Sequence, residues 1–390
     1  MTRVRVAVVG LGAITQSVHL PLLSRRHDLF EVVALVDLST TRTDEIAARH
    51  GVARGGRFRT LGELLTARAK GEIEVDGVLL ATTGSHAPEV CEAMAADVPV
   101  LSEKPLAVSL AELDAIEEAA RATGRDVAEM VMVGYMKEHD PATVRARNEL
   151  DGNSLRSVTV EVLHPADAVQ LEFARLLPAA DDLDPGTVSE LNHRTGRAVD
   201  RAVGGELPDD LRTMYTNVVL GSLVHDISLL RHLVGGVVDV DHAVRWGGMP
   251  GSVEVSGTVA EDARLHVGWH YLPNYPDYRE TVTFHHETGS VQLVFSVPYL
   301  LNSPTELTVV SHATGGAGRN EGEVRATHRW SQQEAFENEL VAFHRLVVDR
   351  VPAGSGVPES RADIIVAQRI IAALATREGT PATAEASTSF

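Results

Sequence analysis

The stretch from Val4 to Leu20, VRVAVVGLGAITQSVHL, decides the fold. Its largely apolar run Val4 to Val9 suits a strand buried on both faces of a parallel sheet. Gly10 and Gly12 then supply a tight turn and close backbone approach, and Ala13 and Ile14 open a helix whose free N–H groups and positive dipole end suit a phosphate. Thr15 stands where G-x-G-x-x-G has its third glycine, so the packing of helix on sheet must accommodate a larger residue. A second apolar run, Glu31 to Val36, ends in Asp37, 25 residues past Gly12 and near the roughly 20-residue spacing of an acid that binds ribose hydroxyls. Glycine turn, helix, strand and terminal acid follow in order, which predicts a dinucleotide-binding N-terminus.

Asp37 repels a 2′-phosphate and accepts hydrogen bonds from free ribose hydroxyls, which favours NAD. Arg42, a few residues further on, keeps NADP open as the alternative.

At 390 residues the chain exceeds the roughly 250–300 residues at which a single core stops growing, so more than one unit is expected. A formal charge of −19 argues against a nucleic-acid or membrane surface, because both need clustered lysine and arginine. An anionic cofactor must then be held by backbone N–H groups and local dipoles. The single cysteine, Cys91, cannot form an intramolecular disulfide and reads as a small core residue in an alanine-rich helix. With a strand at its very start and no apolar run approaching the ~18 residues of a membrane span, the chain is expected to be cytoplasmic. The 17 histidines are scattered rather than paired as ligands, so no metal is expected.

The first third repeats a strand-then-helix pattern. A helical segment Asp44 to His50 leads to a short strand near Arg57 to Arg59, and Thr60 with Glu63 signals a capping box. Val75 to Ala81 reads as the next buried strand, followed by the polar turn Thr82, Thr83, Gly84 and Ser85 and a helix from His86 to Ala96. Pro99 to Glu103 is another strand, and Ser109 with Glu112 caps a helix that stops at Gly124. The alternation predicts a doubly wound parallel sheet over residues 1–132. Beyond Val131 to Tyr135 the pattern changes to period-two runs, which begin from Ser157 onward: Val237 to Arg245, Ser252 to Val259, Leu265 to Tyr271, and Glu280 to Val297 turning over at Glu287, Thr288 and Gly289. These predict a large open antiparallel sheet within an α+β unit spanning 133–377. Between about residues 164 and 211 lies a long polar segment rich in Asp, Pro and Gly, expected as a functional or disordered loop. Two helices are expected to close the chain, Gln332 to Arg350 capped by Ser331 with Glu334, and Arg361 to Arg377 capped by Ser360, the last packing back on the N-terminal unit. A frayed tail over 378–390 follows.

Gly10 to Thr15 followed by His19, Leu20 and Pro21, the tripeptide Glu103-Lys104-Pro105, and Gly134-Tyr135 with Asp140-Pro141 together resemble the glucose-fructose oxidoreductase and inositol dehydrogenase (Gfo/Idh/MocA) family of NAD(P)-dependent enzymes. The resemblance implies hydride transfer between a nicotinamide and a carbon-bound hydroxyl of a sugar, aminosugar or cyclitol. It implies that Lys104, just past a strand end, hydrogen-bonds the reacting oxygen, and that His225, in the segment Leu220 to Ser228, is the acid/base. Departures accompany it. The family's aspartate four residues before that histidine is replaced by Gly221, and Ser228 stands where a further aspartate is common. Lys137, Glu138 and His139 stand where asparagine, arginine and an aromatic residue are more frequent, implying altered substrate contacts. Tyr135, with His139 and Tyr215 behind it, is the candidate replacement for the missing group. Gly10, Gly12, Ala13, Ile14, Asp37, Arg42, Thr82, Thr83, His86, Glu103 and Lys104 are the candidate cofactor residues.

Two other outcomes remain open at this point. Relatives of this fold cleave glycosidic bonds by transient oxidation, and others bind the cofactor as regulatory proteins without turnover. A homodimer or homotetramer is expected, because an exposed large sheet face is normally covered by a second subunit.

Overall fold

The computed structural model describes residues 2–314, 320–380, 382, 384 and 385. The strand-then-helix repeat folds into a six-stranded sheet: β1 (Val4–Val9), β2 (Phe30–Val36), β3 (Arg57–Phe58), β4 (Gly77–Leu80), β5 (Val100–Glu103) and β6 (Val131–Gly134). The order is β3-β2-β1-β4-β5-β6 and every pair is parallel. The sequence direction reverses between β1 and β4, and ligands of such sheets bind beyond the strand ends at that switch point. Alternate residues of β1 feed two different cores, Ala7 and Val9 on one face and Val4, Val6 and Val8 on the other.

The second sheet has eight strands: β7 (Leu155–His164), β8 (Val237–Trp246), β9 (Ser252–Val259), β10 (Ala263–Tyr271), β11 (Arg279–His286), β12 (Gly289–Phe295), β13 (Glu306–Thr314) and β14 (Asn320–Arg329), in the order β14-β13-β12-β11-β7-β10-β9-β8. Its alternation is plain in β7, where Val158, Val160 and Val162 are buried and Thr159 and Glu161 exposed. The expected large antiparallel sheet forms, with one parallel pair, β7 and β10, at its centre. A long connection between the two, including the polar segment and a β8–β9 hairpin, lets the chain return beside β7 in the same direction.

The polar segment is not a loop throughout. It contains the helix Pro185–Val203, with Asp184 accepting from the Thr187 N–H and Pro185 in the first turn. Buried Ala198, Val199, Ala202 and Val203 give that helix one apolar stripe, the spacing a packed helix needs. Shorter helices Asp167–Leu171 and Asp209–Thr213 flank it.

Both closing helices start elsewhere than expected. The first runs Ala335–Asp349, uncapped by Ser331, because the Glu334 carboxylate instead receives the Asn302 N–H. The second runs Val357–Arg377 and begins at Gly356, whose N–H is taken by Glu359, leaving Ser360 buried inside the helix. Phe336, Leu340 and Phe343 of the first dock on the core beneath β1, and Arg361 of the second reaches Asp114 and Glu117 of the helix Leu110–Thr123. That helix carries its capping box at Ser109 and Glu112 and stops at Gly124, whose φ is +69°. Of the tail, residues 381, 383 and 386–390 lie outside the described residues; Glu385 is docked, its carboxylate taking the N–H groups of Leu110 and Ala111. No helix of the described residues is long and apolar enough to cross a membrane.

Candidate active site

The phosphate turn is built from backbone. Gly10 has φ +87°, and a Cβ there would lie 2.5 Å from the Ala81 carbonyl oxygen, so only glycine fits against β4. A Cβ on Gly12 would meet nothing within 4 Å, which leaves open space in front of the turn where a pyrophosphate backbone contact needs it. Thr15 takes the third glycine's place by donating its buried hydroxyl to the Gly10 carbonyl at 2.6 Å. Asp37 fixes the far side, accepting the Leu11 and Ser39 N–H groups, each at 2.9 Å. Turn, open approach and strand-end acid fit the diphosphate and ribose of a dinucleotide.

The segment before the helix Pro185–Val203 lies across this turn. Gln16 accepts the Leu177 N–H at 3.0 Å, and the Arg42 guanidinium reaches the Pro178 carbonyl at 3.4 Å. The Asp182 carboxylate accepts the Thr41 N–H at 3.0 Å and the Thr40 hydroxyl at 3.1 Å, at the start of the helix Thr40–His50. On the other side of the crevice Thr82 lines the cavity and Thr83 is exposed. His86 is buried with its ring nitrogens 2.8 Å from the Pro105 carbonyl and 3.0 Å from that of Thr82, tying the two loops together.

Lys104 and His225 line one cavity of about 190 Å³ with Ile14, Glu103 and Tyr278. It shares Gly221, Ser222, His164 and Tyr299 with a neighbouring cavity of about 520 Å³, whose walls include Asn217 and Trp269. Glu103 receives the His19 ring at 2.8 Å and the Lys104 N–H at 3.2 Å, so the strand end is held from both sides. Burial, with Lys137 adding to it, lowers the Lys104 pKa against the opposing pull of Glu103. The Lys104 ammonium donates to the Gly221 carbonyl. Main chain thus meets the lysine at Gly221, which itself offers no carboxylate.

His225 sits where a helical run changes winding, wide-turned over Met214–Leu223 and regular over Val224–Val234. Burial, then the charges of Lys104 and Lys137, hold its pKa well below that of a free histidine, so the ring rests neutral. Its Nδ1 is buried without a partner.

Lys137 does not contact the large cavity. It is buried between Asp226, at 3.2 Å, and Glu280, and Tyr278 donates to Glu280 at 2.7 Å. Glu138 is likewise buried, taking Arg231 at 2.8 Å, which also binds Asp363 at 2.9 Å. The altered junction residues thus build internal ion clusters. Tyr135 and Tyr215 do not reach the cavity either. Tyr135 lies under Arg231, whose guanidinium is 5.5 Å from the ring centroid, and Tyr215 donates to the Val108 carbonyl at 2.6 Å; burial raises both hydroxyls' pKa. His139 is pushed down to about 4, mainly by burial. Sequence reasoning missed Tyr278 and Glu280, although a signal existed. They precede Val282 and Phe284 at period two, which sets a carboxylate on the inward face of β11, a place charges avoid unless paired.

Residues 4–135 match the family described as "Oxidoreductase family, NAD-binding Rossmann fold" (GFO_IDH_MocA). Over these residues the chain is similar to the Gfo/Idh/MocA oxidoreductases. It is 30% identical over 231 residues to an inositol 2-dehydrogenase of Acidothermus cellulolyticus, a match covering 59% of this chain and 53% of that protein. The chain therefore spans about half the length of the curated relatives it matches. Two solved structures share the fold along nearly the whole length. A UDP-N-acetylglucosamine 3-dehydrogenase from Acidithiobacillus ferrooxidans superposes with TM-score 0.67 at 18% identity, covering 96% of this chain and 99% of that one. An aldose-aldose oxidoreductase from Caulobacter crescentus gives TM-score 0.69 at 16% identity, with 98% and 100% covered.

Proposed function

We propose that this protein is an NAD(P)-dependent dehydrogenase or reductase that moves a hydride between a nicotinamide and a carbon-bound hydroxyl, or the matching ketone, of a sugar, aminosugar or cyclitol. The observation that carries this reading is the meeting of Lys104 and His225 in one cavity beyond β5, beside Ile14 of the phosphate turn. The chain's likeness to an inositol 2-dehydrogenase and to a UDP-N-acetylglucosamine 3-dehydrogenase supports that substrate class.

In this reading Gly10, Gly12, Ala13 and Ile14 hold the diphosphate, Asp37 the ribose, and Thr82, Thr83, His86 and Glu103 shape the nicotinamide end. The bound cofactor supplies hydride chemistry. Lys104 is the donor to the substrate oxygen and stabilises its developing negative charge. His225, neutral at rest, takes the hydroxyl proton as the carbonyl forms. NAD is the preferred form because two carboxylates, Asp37 and Asp182, face the ribose end, and both oppose a 2′-phosphate. The second cavity gives a substrate room beyond the reacting carbon. A homodimer or homotetramer in the cytoplasm completes the proposal, and light scattering that returned a monomer mass would remove the oligomer from it.

The test is nicotinamide absorbance with purified protein against free sugars, cyclitols, aminosugars and nucleotide-linked sugars, in both redox directions, with NAD and NADP in parallel. Sustained turnover on one member supports the reading. Cofactor binding without net reduction or oxidation of any member contradicts it.

A further inference from the structure

The larger of the two joined cavities offers more space than one polyol needs. At about 520 Å³ it lies within the roughly 300–1,000 Å³ of sites that enclose drug-sized ligands, whereas a hexose or cyclitol has only about a dozen non-hydrogen atoms. It is continuous with the reacting centre, since His164, Asp167, Gly221, Ser222 and Tyr299 line both spaces. Its walls indicate what the rest of the substrate carries. Met249, Pro250, Trp269, Tyr271 and Tyr299 give apolar and aromatic surface, and the Trp269 and Tyr271 rings lie parallel with centroids 6.3 Å apart. Such surface suits the C–H faces of a pyranose, and hydroxyl partners sit among it. The Ser222 oxygen accepts the Trp269 N–H at 3.0 Å and keeps its own hydrogen to give, and the Asn217 carbonyl accepts the Thr216 hydroxyl at 3.0 Å and leaves the amide N–H groups to give. His164 Nδ1 lies 2.8 Å from the Pro165 carbonyl, so Nδ1 carries the proton and Nε2 is an acceptor; burial lowers its pKa and keeps the ring neutral.

Charge decides between the kinds of extended substrate. Among the described residues no lysine or arginine lines the larger cavity, and its one acidic wall residue is Asp167. A nucleotide-linked sugar would bring a diphosphate, which proteins hold with arginine, lysine or free helix N–H groups. Here Asp167 already places a negative charge in the first turn of the helix Asp167–Leu171, and the chain as a whole carries a formal charge of −19, so near and far fields both oppose an anion. Lys104, the cation of the joined space, is committed to the reacting oxygen. Resting on the dehydrogenase reading, we propose that the substrate is a neutral two-ring glycoside whose reacting ring sits at Lys104 and His225 and whose second, uncharged glycosyl unit fills the larger cavity against Tyr271, Tyr299 and Asn217. Nucleotide-linked sugars are refused. The carbinol carbon exchanges its hydride with the nicotinamide and its hydroxyl proton with His225, and the glycosidic bond stays intact. Tyr271, Tyr299 and Asn217 set specificity, since none of them has to touch the reacting carbon.

The experiment gives the full-length protein NAD and three sets of compounds: the neutral diglycosides cellobiose, maltose, isomaltose and lactose; glucose, galactose and myo-inositol; and UDP-glucose with UDP-N-acetylglucosamine. It records kcat and KM for each, and calorimetric affinity of the NAD-loaded protein for the same compounds. The variant is Asn217→Trp, which fills the larger cavity from an exposed wall position. One diglycoside is expected to exceed every single-ring compound and both nucleotide sugars in kcat/KM by at least about ten-fold, the scale on which a lost group is felt in a fitted pocket. In Asn217→Trp that preference over single rings should collapse, chiefly through KM. A single-ring compound or a nucleotide sugar used as well as the best diglycoside overturns the proposal and leaves the dehydrogenase reading standing, as does a preference unchanged in Asn217→Trp. Absence of turnover with every compound fails the dehydrogenase reading instead, and calorimetry then decides the occupant. A diglycoside bound more tightly than any single ring, and lost in Asn217→Trp, upholds it; no such binding overturns it. Should Asn217→Trp not fold, Met249→Trp at the exposed rim makes the same block.

Discussion

The glycine turn after β1 and the candidate catalytic cavity are built from different materials. Around Gly10 the site is backbone: a positive φ, a carbonyl of β4 at close quarters, N–H groups at a helix start, and one acid that ties them together. Around His225 it is side chains delivered by β5, the junction after β6, a helical run that changes winding, and β11. A backbone site tolerates few residue types and leaves a local signature. A side-chain site can exchange one group for another provided the cavity keeps its charges paired, and at Gly221 a main-chain carbonyl meets the Lys104 ammonium.

The largest effect that would break this contrast belongs to the side-chain end. Lys104→Ala should lower kcat on the best polyol by about 100- to 1,000-fold, the cost of removing one oxyanion donor, while calorimetric NAD affinity stays near the parent value. A comparable loss of NAD affinity would make Lys104 a binding residue and dissolve the division of labour. At the backbone end the opposite pattern is expected. Gly10→Ala forces a Cβ onto the Ala81 carbonyl in a left-handed conformation, at about 1–2 kcal/mol for the conformation alone, so melting temperature and NAD affinity should both fall. Parental affinity in the Gly10→Ala variant would show the turn to be more forgiving than its geometry.

Much of the first end was legible because its requirements are local. The order from Val4 through Gly12 to Asp37 could be read directly, as could the capping box at Ser109 and Glu112 and the stop at Gly124. Lys104 and His225 were legible only through family resemblance, since 121 residues separate them and no local rule joins them. Tyr135 looked attractive from its motif, yet its hydroxyl is spent in the core beside Asp363 and Arg231. Asp226, Lys137 and Glu280 were illegible as a unit because a charge-paired cluster assembles from three distant segments. The helix Pro185–Val203 was hidden by its polar composition. Its narrow apolar stripe covers only one face.

A smaller effect sharpens the account of the buried junction. Burial pushes His139 down to about 4 in the fold, from 6.5 in a free chain. Below pH 6.5 the unfolded chain binds the proton that the folded chain refuses, so this contribution to stability is whole above pH 6.5 and is lost as pH falls toward 4. Between about pH 7 and pH 5 the parent should lose about 2 kcal/mol more stability than His139→Gln, read from urea midpoints at each pH. Parallel pH dependences would place the histidine in contact with solvent. The smallest effect tests the segment crossing the phosphate turn. Asp182→Ala should improve NADP affinity several-fold and leave NAD affinity nearly unchanged, and Asp37→Ala should do more, because its carboxylate also pins the turn.

The most direct measurement is isotopic. Purified protein is incubated with NAD and a polyol carrying deuterium on its carbinol carbons, and the recovered cofactor is weighed by mass spectrometry. The account predicts deuterium in the reduced nicotinamide, formed by the parent and nearly abolished in Lys104→Ala. Cofactor that binds yet gains no deuterium from any polyol tested would contradict it.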